Sequence, residues 1–341
     1  MAEKKQDKIT WSSRLLSKLT VAPENRSEPA KDKYPGGRFK RFFDIFRSNM
    51  QSFVTINLLT LIFAIPVLVL LGLIYGIGME RFSYMLEKID RTPYLLSGFG
   101  FGLSAGTDLA ATKITMLMGY RVLFLGLAVC LPILGFGIAG SLYVCTKLVW
   151  GESFLCKKDK YGNDVPRIVT EYFRGLKKYW KEPVLIFAVL GVIVAGCSNL
   201  IINFVAGIWS GQPSAGEIIG LIAAILIALP ALLLTVNLLP TTISYYGMPF
   251  GAKLKNSALV TISFFIPTLI ILLFAAAPFL LMLISGFVGI ILAVAFVTIG
   301  FSYIVLLLTN YADRTSELIL VPLYEATQRT QSTKKKKKKN N

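Results

Sequence analysis

The residues of this sequence best suited to chemistry are asparagines inside apolar stretches. Asn199 and Asn203 lie four residues apart, so on a helix they share one face. Carboxamides placed in this way can line a polar path, or bind sodium or the hydroxyl groups of a sugar, and Asn57 and Asn237 are candidates for the same path. The alternative interpretation is hydrogen bonding between neighbouring membrane helices, which also places uncharged polar residues inside spans.

The sequence lacks the residues and motifs on which catalysis and metal binding usually depend. The sequence contains no histidine, which excludes imidazole catalysis, histidine-liganded zinc and histidine proton relays. Its four cysteines form no CxxC pair, and no HExxH, GxSxG or paired-carboxylate pattern is present. We therefore predict no catalytic residue, no bound cofactor and no metal site, and we expect that the protein is not an enzyme.

The composition is that of a membrane protein. Of the 341 residues 54% are hydrophobic and 16% are charged, whereas a soluble domain usually has about 25% charged residues. Several apolar runs exceed the roughly 20 residues needed to cross a bilayer. The sequence predicts an all-α polytopic membrane protein with six transmembrane helices. The predicted spans are about 53–79, 122–146, 183–209, 218–246, 258–284 and 287–310.

Two stretches before spans have the pattern of amphipathic surface helices. After Pro35, aromatic residues recur at helical spacing from Phe39 to Phe53, and after Pro166 a second apolar stripe runs from Ile168 to Trp180. Basic residues occupy the remaining faces, which is typical of helices in the lipid headgroup plane. The predicted lipid-surface contacts are Arg38, Lys40, Arg41, Arg47, Arg174, Lys177, Lys178 and Lys181. The alternative for the first helix is packing against protein.

The charge distribution predicts the orientation. Six spans with both ends on one side place 31 of the 36 Lys and Arg residues on that side, and 5 in the loop between the first two spans. The positive-inside rule makes this side cytoplasmic. The net charge of +17 is then directed at the anionic cytoplasmic leaflet of the bilayer and not at nucleic acid.

The predicted organisation has three parts. Residues 1–34 form a disordered basic cytoplasmic tail, residues 35–310 the membrane domain, and residues 311–341 a lysine-rich cytoplasmic tail. The loop 80–121 contains a glycine-rich patch without a phosphate-binding motif, and we expect it to be flexible or partly re-entrant. Three two-span units follow one another, each entered through a basic stretch, and the third entry, with Lys253 and Lys255, is the weakest.

Several runs resemble a known family. They are INLLTLIFAIPV, which begins at Ile56, LPILGFGIAGSLYVCTKLVWGESF, which begins at Leu131, and TEYFRGLKKYWKE, which begins at Thr170. The pattern is similar to that of the YesL-like family of bacterial integral membrane proteins. The positions that carry the resemblance are Asn57, Leu58, Leu59, Pro66, Pro132, Gly140, Tyr143, Lys147, Leu148, Gly151, Glu152 and Phe173.

The resemblance implies a context and no catalytic residues. Some members are encoded beside oligosaccharide uptake systems of the ATP-binding-cassette type, which implies an accessory role in carbohydrate uptake in the plasma membrane of a Gram-positive bacterium. Our leading hypothesis is therefore a non-enzymatic accessory or scaffold protein that acts beside subunits of such a transporter. The alternative is an autonomous small-solute transporter or channel that uses the polar residues and prolines of the spans, and a membrane enzyme comes third.

Overall fold

The computed structural model describes residues 37–87, 109–152, 154–158, 164–282 and 287–315. The predicted basic tail 1–34, residues 316–341 and the glycine-rich patch lie outside this part of the chain. Helices account for most of the described residues, and we number them α1–α10 in chain order.

The first membrane entry is a helix pair separated by one residue. Helix α1 (Arg38–Ser48) is capped by Asn49, and α2 (Met50–Glu87) begins at the next residue. Helix α3 (Leu109–Trp150) returns. The loop predicted at 80–121 is therefore wrong at both edges, because the chain is helical to residue 87 and again from residue 109. The apolar sequence indicates only which part of a helix lies in the hydrocarbon core of the bilayer. The helix itself can continue into polar residues, because extending an existing helix costs little free energy.

A short polar module follows α3. Glu152 N–H donates to the Lys147 carbonyl and Gly151 N–H to the Leu148 carbonyl. These two hydrogen bonds are typical of a helix C-terminus that ends in a residue with left-handed backbone conformation, here Gly151 at φ 69°. Strands β1 (Cys156–Lys158) and β2 (Asp164–Pro166) then pair antiparallel, and α4 (Ile168–Tyr179) begins directly after them.

The second entry repeats the first. Helix α4 is separated by Trp180 alone from α5 (Lys181–Trp209). Helix α6 (Ala215–Ser244) follows. A capping box begins α6: Ser214 N–H donates to the Glu217 carboxylate at 2.7 Å, and Glu217 N–H donates to the Ser214 hydroxyl at 3.3 Å.

The third entry corrects the predicted fifth span. Residues 258–284 do not form one helix, because α7 (Phe250–Ser263) and α8 (Phe265–Met282) meet at Phe264 with a bend of 99°. Pro267 explains the break, since it cannot donate the backbone hydrogen bond that a continuous helix would make to the carbonyl of Ser263. The last span is α9 (Phe287–Ala295), a π-helical segment (Phe296–Gly300) and α10, residues 301–315.

The all-α polytopic class is confirmed. Five helical stretches of the described chain are long and apolar enough to cross a membrane, and the bent pair makes up to six. The three entries share one plan, in which a shorter helix, a single break residue and a long apolar helix succeed one another. Asn49, Trp180 and Phe264 are the break residues.

The contacts divide the chain into two compact units. Of the described residues, those up to Asn57, those within Ser141–Gly175 and those from Leu233 onwards form the first, and those within Leu58–Gly140 and Leu176–Leu232 the second. In the second unit α5 approaches α3 closely through glycine: a Cβ on Gly191 would lie 2.5 Å from the carbonyl oxygen of Ala128. Small residues permit such approach between membrane helices.

In the first unit α4 packs directly on α3 at Gly175, where an added Cβ would overlap the Tyr143 side chain. We expect Gly175→Ala to lower the free energy of unfolding by about 1–3 kcal/mol through overpacking. Thermal unfolding of the purified protein in detergent measures this. The matched control is Gly196→Ala in α5, whose added Cβ meets nothing within 4 Å. Equal melting temperatures for the two variants would contradict the close packing of α4 on α3.

Candidate functional site

Arg41 joins three elements of the first unit. Its side chain is buried, its guanidinium donates to the carbonyl of Val149 in the last turn of α3, and it pairs with Asp313 of α10 at 3.5 Å. The prediction that Arg41 contacts the lipid surface is therefore wrong. A guanidinium placed on the last carbonyls of a helix also complements the negative end of the helix dipole.

Glu171 is the corresponding residue of α4. Its carboxylate is fully buried and accepts from Lys147 Nζ at 3.2 Å, from the backbone N–H of Leu155 at 3.3 Å and from Arg174 at 3.4 Å. It thereby joins α4 to the end of α3 and to the start of the β-hairpin. Removal of one partner from such a buried group leaves an uncompensated charge, which commonly costs about 3–5 kcal/mol.

Lys253 is the buried cation of α7. The sequence suggests that Lys253 and Lys255 belong to a basic entry surface, but Lys253 is 1% exposed and donates to the carbonyl of Thr242 near the end of α6 at 3.3 Å. Lys255 is exposed. Each entry helix thus has one buried charged residue that contacts the end of a span.

Six of the seven remaining predicted lipid-surface residues are exposed in the structure. Lys40, Arg47, Arg174, Lys177, Lys178 and Lys181 are exposed, and the side chain of Arg38 lies outside the described part. On α1 the rings of Phe39 and Phe43 are exposed beside these cations. Contact with lipid headgroups stays a prediction for them.

Asn57 stabilises the π-helical segment. A π turn shifts the backbone hydrogen-bond ladder, and the Asn57 carboxamide contacts the backbone groups at both of its ends. Its nitrogen donates to the carbonyls of Val297 at 2.6 Å and Phe296 at 3.4 Å, and its oxygen accepts from the N–H groups of Phe301 at 2.7 Å and Ser302 at 3.1 Å. The side chain is fully buried. Within a membrane such backbone groups must find partners inside the protein.

Asn237 belongs to a neutral polar cluster at the bend between α7 and α8. Its nitrogen donates to the hydroxyls of Thr261 at 2.9 Å and Thr268 at 3.4 Å, and the Thr268 and Tyr311 hydroxyls are hydrogen-bonded at 2.8 Å. Asn237 is 2% exposed, and its Oδ1 is buried without a hydrogen-bond donor in the described part of the chain. Within the described residues, the cluster therefore contains one acceptor, Asn237 Oδ1, without a hydrogen-bond donor.

The predicted pair Asn199 and Asn203 has separate roles. Asn199 donates to the carbonyl of Ala195 in its own helix at 3.0 Å, whereas the Asn203 oxygen accepts from Arg121 of α3 at 2.6 Å. The four asparagines therefore use four different sets of partners, and no hydrogen bond joins one to another among the described residues.

The geometry defines a polytopic helical membrane protein in which several buried polar side chains, such as Arg41, Asn57 and Asn237, join helices. Within the described residues no group of three or more His, Cys, Asp or Glu side chains is arranged to hold a metal ion. Comparison with protein-family models, with curated proteins and with solved structures finds no match.

Sequence reasoning missed the roles of Glu171 and Asp313, and one of them had a local signal. Glu171 shares helical spacing with Ile168, Tyr172 and Gly175, the buried face of α4. An acid in the centre of an apolar stripe predicts a buried pair. Asp313 has no such local signal, because its partner Arg41 is more than 250 residues away in the sequence.

We expect Asn57→Leu to lower the free energy of unfolding by about 2 kcal/mol or more, because it removes the hydrogen bonds of a buried carboxamide to four backbone groups. Amide hydrogen exchange at Phe301 and Ser302 should accelerate. Thermal unfolding and hydrogen exchange monitored by mass spectrometry measure the two effects. The control is Asn199→Leu, which removes one described bond within α5. Equal destabilisation by the two substitutions would show that Asn57 does not stabilise the π-helical segment.

Proposed function

We propose that the protein is a non-enzymatic scaffold or accessory component of the bacterial plasma membrane that acts beside a transporter of the ATP-binding-cassette type in carbohydrate uptake. One observation carries the proposal. The basic entry helices are attached to spans by buried charges while their other faces remain exposed and cationic. A surface of this kind is suited to contact with a partner or a membrane surface.

Helix α4 illustrates this construction. Glu171 and Tyr172 are fully buried, and Gly175 packs on Tyr143. Arg174 and Lys177 are exposed on the same helix. The buried face fixes the position of α4 and the exposed face gives it its charge, so the cationic surface is preorganised, which reduces the entropy lost on binding.

The polar groups of the spans support a structural role. Asn57 uses its carboxamide on four backbone groups, and the Arg41–Asp313 and Lys147–Glu171 pairs neutralise charge inside the protein. Groups engaged in this way are not available to a substrate without breaking contacts between helices. Carbohydrate uptake and the type of transporter enter the proposal through the YesL-like resemblance, as does the bacterial plasma membrane, and cytoplasmic termini enter through the charge asymmetry.

The test is affinity purification of the tagged full chain from its native membrane in mild detergent, followed by mass spectrometry. We expect transporter membrane subunits at near-stoichiometric amounts. The triple variant Lys177→Glu, Lys178→Glu, Lys181→Glu should lose most of this recovery while the melting temperature changes little, because all three side chains are exposed and the contact of Lys178 with the Tyr179 ring lies at the surface. Lys255→Glu, an exposed lysine on α7, is the control and should retain the partner. Recovery of the protein alone would overturn the proposal.

A second candidate, an autonomous small-solute transporter, is favoured by the cluster at the bend. Broken membrane helices with polar side chains are common at substrate and ion sites of transporters. Thr261 and Thr268 lie on either side of the break, and Asn237 Oδ1 lacks a donor within the described residues. A solute hydroxyl or a small cation would complete the cluster.

Flux into liposomes that contain only this protein tests the second candidate. If the protein transports, uptake of a labelled sugar or of sodium should fall at least about tenfold in Asn237→Ala, because the ligand loses its carboxamide partner. Asn199→Ala is the matched control and should transport normally. Absence of protein-dependent flux would exclude the autonomous transporter and leave the scaffold proposal standing.

A further inference from the structure

Arg121 is a cation at the start of an apolar span. It belongs to α3, within the stretch Leu117–Trp150 that is long and apolar enough to cross a membrane, and its side chain is partly buried. Charged side chains within spans pair with one another or with backbone carbonyls, and arginines near the ends of spans extend towards the lipid headgroups.

The protein gives Arg121 a neutral partner. Its Nη2 donates to the Asn203 oxygen at 2.6 Å, and its Nε is buried without an acceptor among the described residues. By contrast, Arg41 and Lys147 are neutralised by the carboxylates of Asp313 and Glu171. Asn203 accepts one hydrogen bond from the guanidinium, and no carboxylate of the described residues forms an ion pair with it.

The arrangement offers hydrogen-bond donors to an anion. The Asn203 oxygen is engaged by Arg121, which leaves the carboxamide N–H groups of this exposed residue directed away from that bond. The guanidinium contributes further N–H groups in a planar fork, which matches phosphate geometry. A positive charge and adjacent amide donors favour an oxyanion over a neutral solute or a cation.

The position of Arg121 in α3 matches the depth of phosphate groups. An uncharged stretch, Val122–Thr146, separates Arg121 from Lys147 and is long enough to cross the hydrocarbon core of roughly 30 Å. Lys147 pairs with Glu171 of the basic entry helix α4. Arg121 therefore lies at the headgroup level of the opposite membrane face.

We propose that Arg121 and Asn203 form a phosphate-binding site at the membrane face opposite to Lys147. Phosphate is available there from two sources, the headgroup of a phospholipid and a soluble phosphate. Either source supplies the charge that the described protein does not, and this proposal does not depend on the scaffold or transport hypotheses.

Two variants of the full chain test the site. Arg121→Gln removes the charge, and Asn203→Asp supplies an internal carboxylate that would neutralise Arg121. We expect both to weaken phosphate binding about tenfold or more, while Asn203→Asp keeps or raises the melting temperature because it adds an ion pair. Arg314→Gln, at an exposed arginine of α10 that is not among the predicted lipid-surface contacts, is the control and should bind like the parent protein.

The probes are phosphatidylglycerol and inorganic phosphate, each added to delipidated protein in a neutral detergent. Native mass spectrometry counts bound lipid, and the thermal shift reports either ligand. Loss of lipid binding in both variants supports the site with a headgroup as its source, and loss of a shift by inorganic phosphate supports it with a soluble source. Unchanged binding of both probes in Arg121→Gln or in the stably folded Asn203→Asp variant would overturn the proposal.

Discussion

The requirement that every buried charge in an apolar bundle finds a partner organises this structure. Each entry helix places one charged side chain into the protein: Arg41 against the end of α3 and Asp313, Glu171 against Lys147, and Lys253 against the end of α6. These contacts join the entry helices to the ends of spans, where the last carbonyl groups have no partner within the helix and the helix dipole favours cations. Because the buried charges hold the helices in place, the remaining basic residues can stay exposed without loss of the fold.

The same requirement acts on the backbone. A π turn shifts the backbone hydrogen bonds of a membrane helix, where lipid offers no partner, and the Asn57 carboxamide is hydrogen-bonded to four backbone groups at this turn. The last span can therefore depart from regular α geometry at Phe296–Gly300. At Phe264 the departure has a different cause, since Pro267 removes a donor and the helix bends by 99°. Asn57 and Pro267 thus shape their spans through the backbone hydrogen bonds that they supply or prevent.

The sequence predicts the helices well and their contacts poorly, for physical reasons. Apolar length and helical periodicity suffice for the spans, α1 and α4, because both depend on local composition. The burial of an individual cation does not depend on local composition alone. Lys40 and Arg41 are neighbours in the sequence, yet Lys40 is exposed and Arg41 is buried, and the difference depends on Asp313. The burial of Glu171 could be predicted, since Glu171 shares the helical spacing of the buried stripe of α4. The hydrogen bond from Asn57 to the π-helical segment could not, because it joins residues that are distant in the sequence.

The pattern of internal pairing also indicates where a ligand would gain most binding free energy. A ligand that competes for Asn57 or Glu171 must first break contacts between helices, and the cost of those contacts reduces its net affinity. Asn237 Oδ1 and Arg121 differ, because the described protein gives the first no donor and the second no counter-charge. A molecule that supplies either group adds an interaction without removing one. The two positions demand opposite chemistry, a hydrogen-bond donor or cation at Asn237 and an anion at Arg121, so one solute is not expected to occupy both.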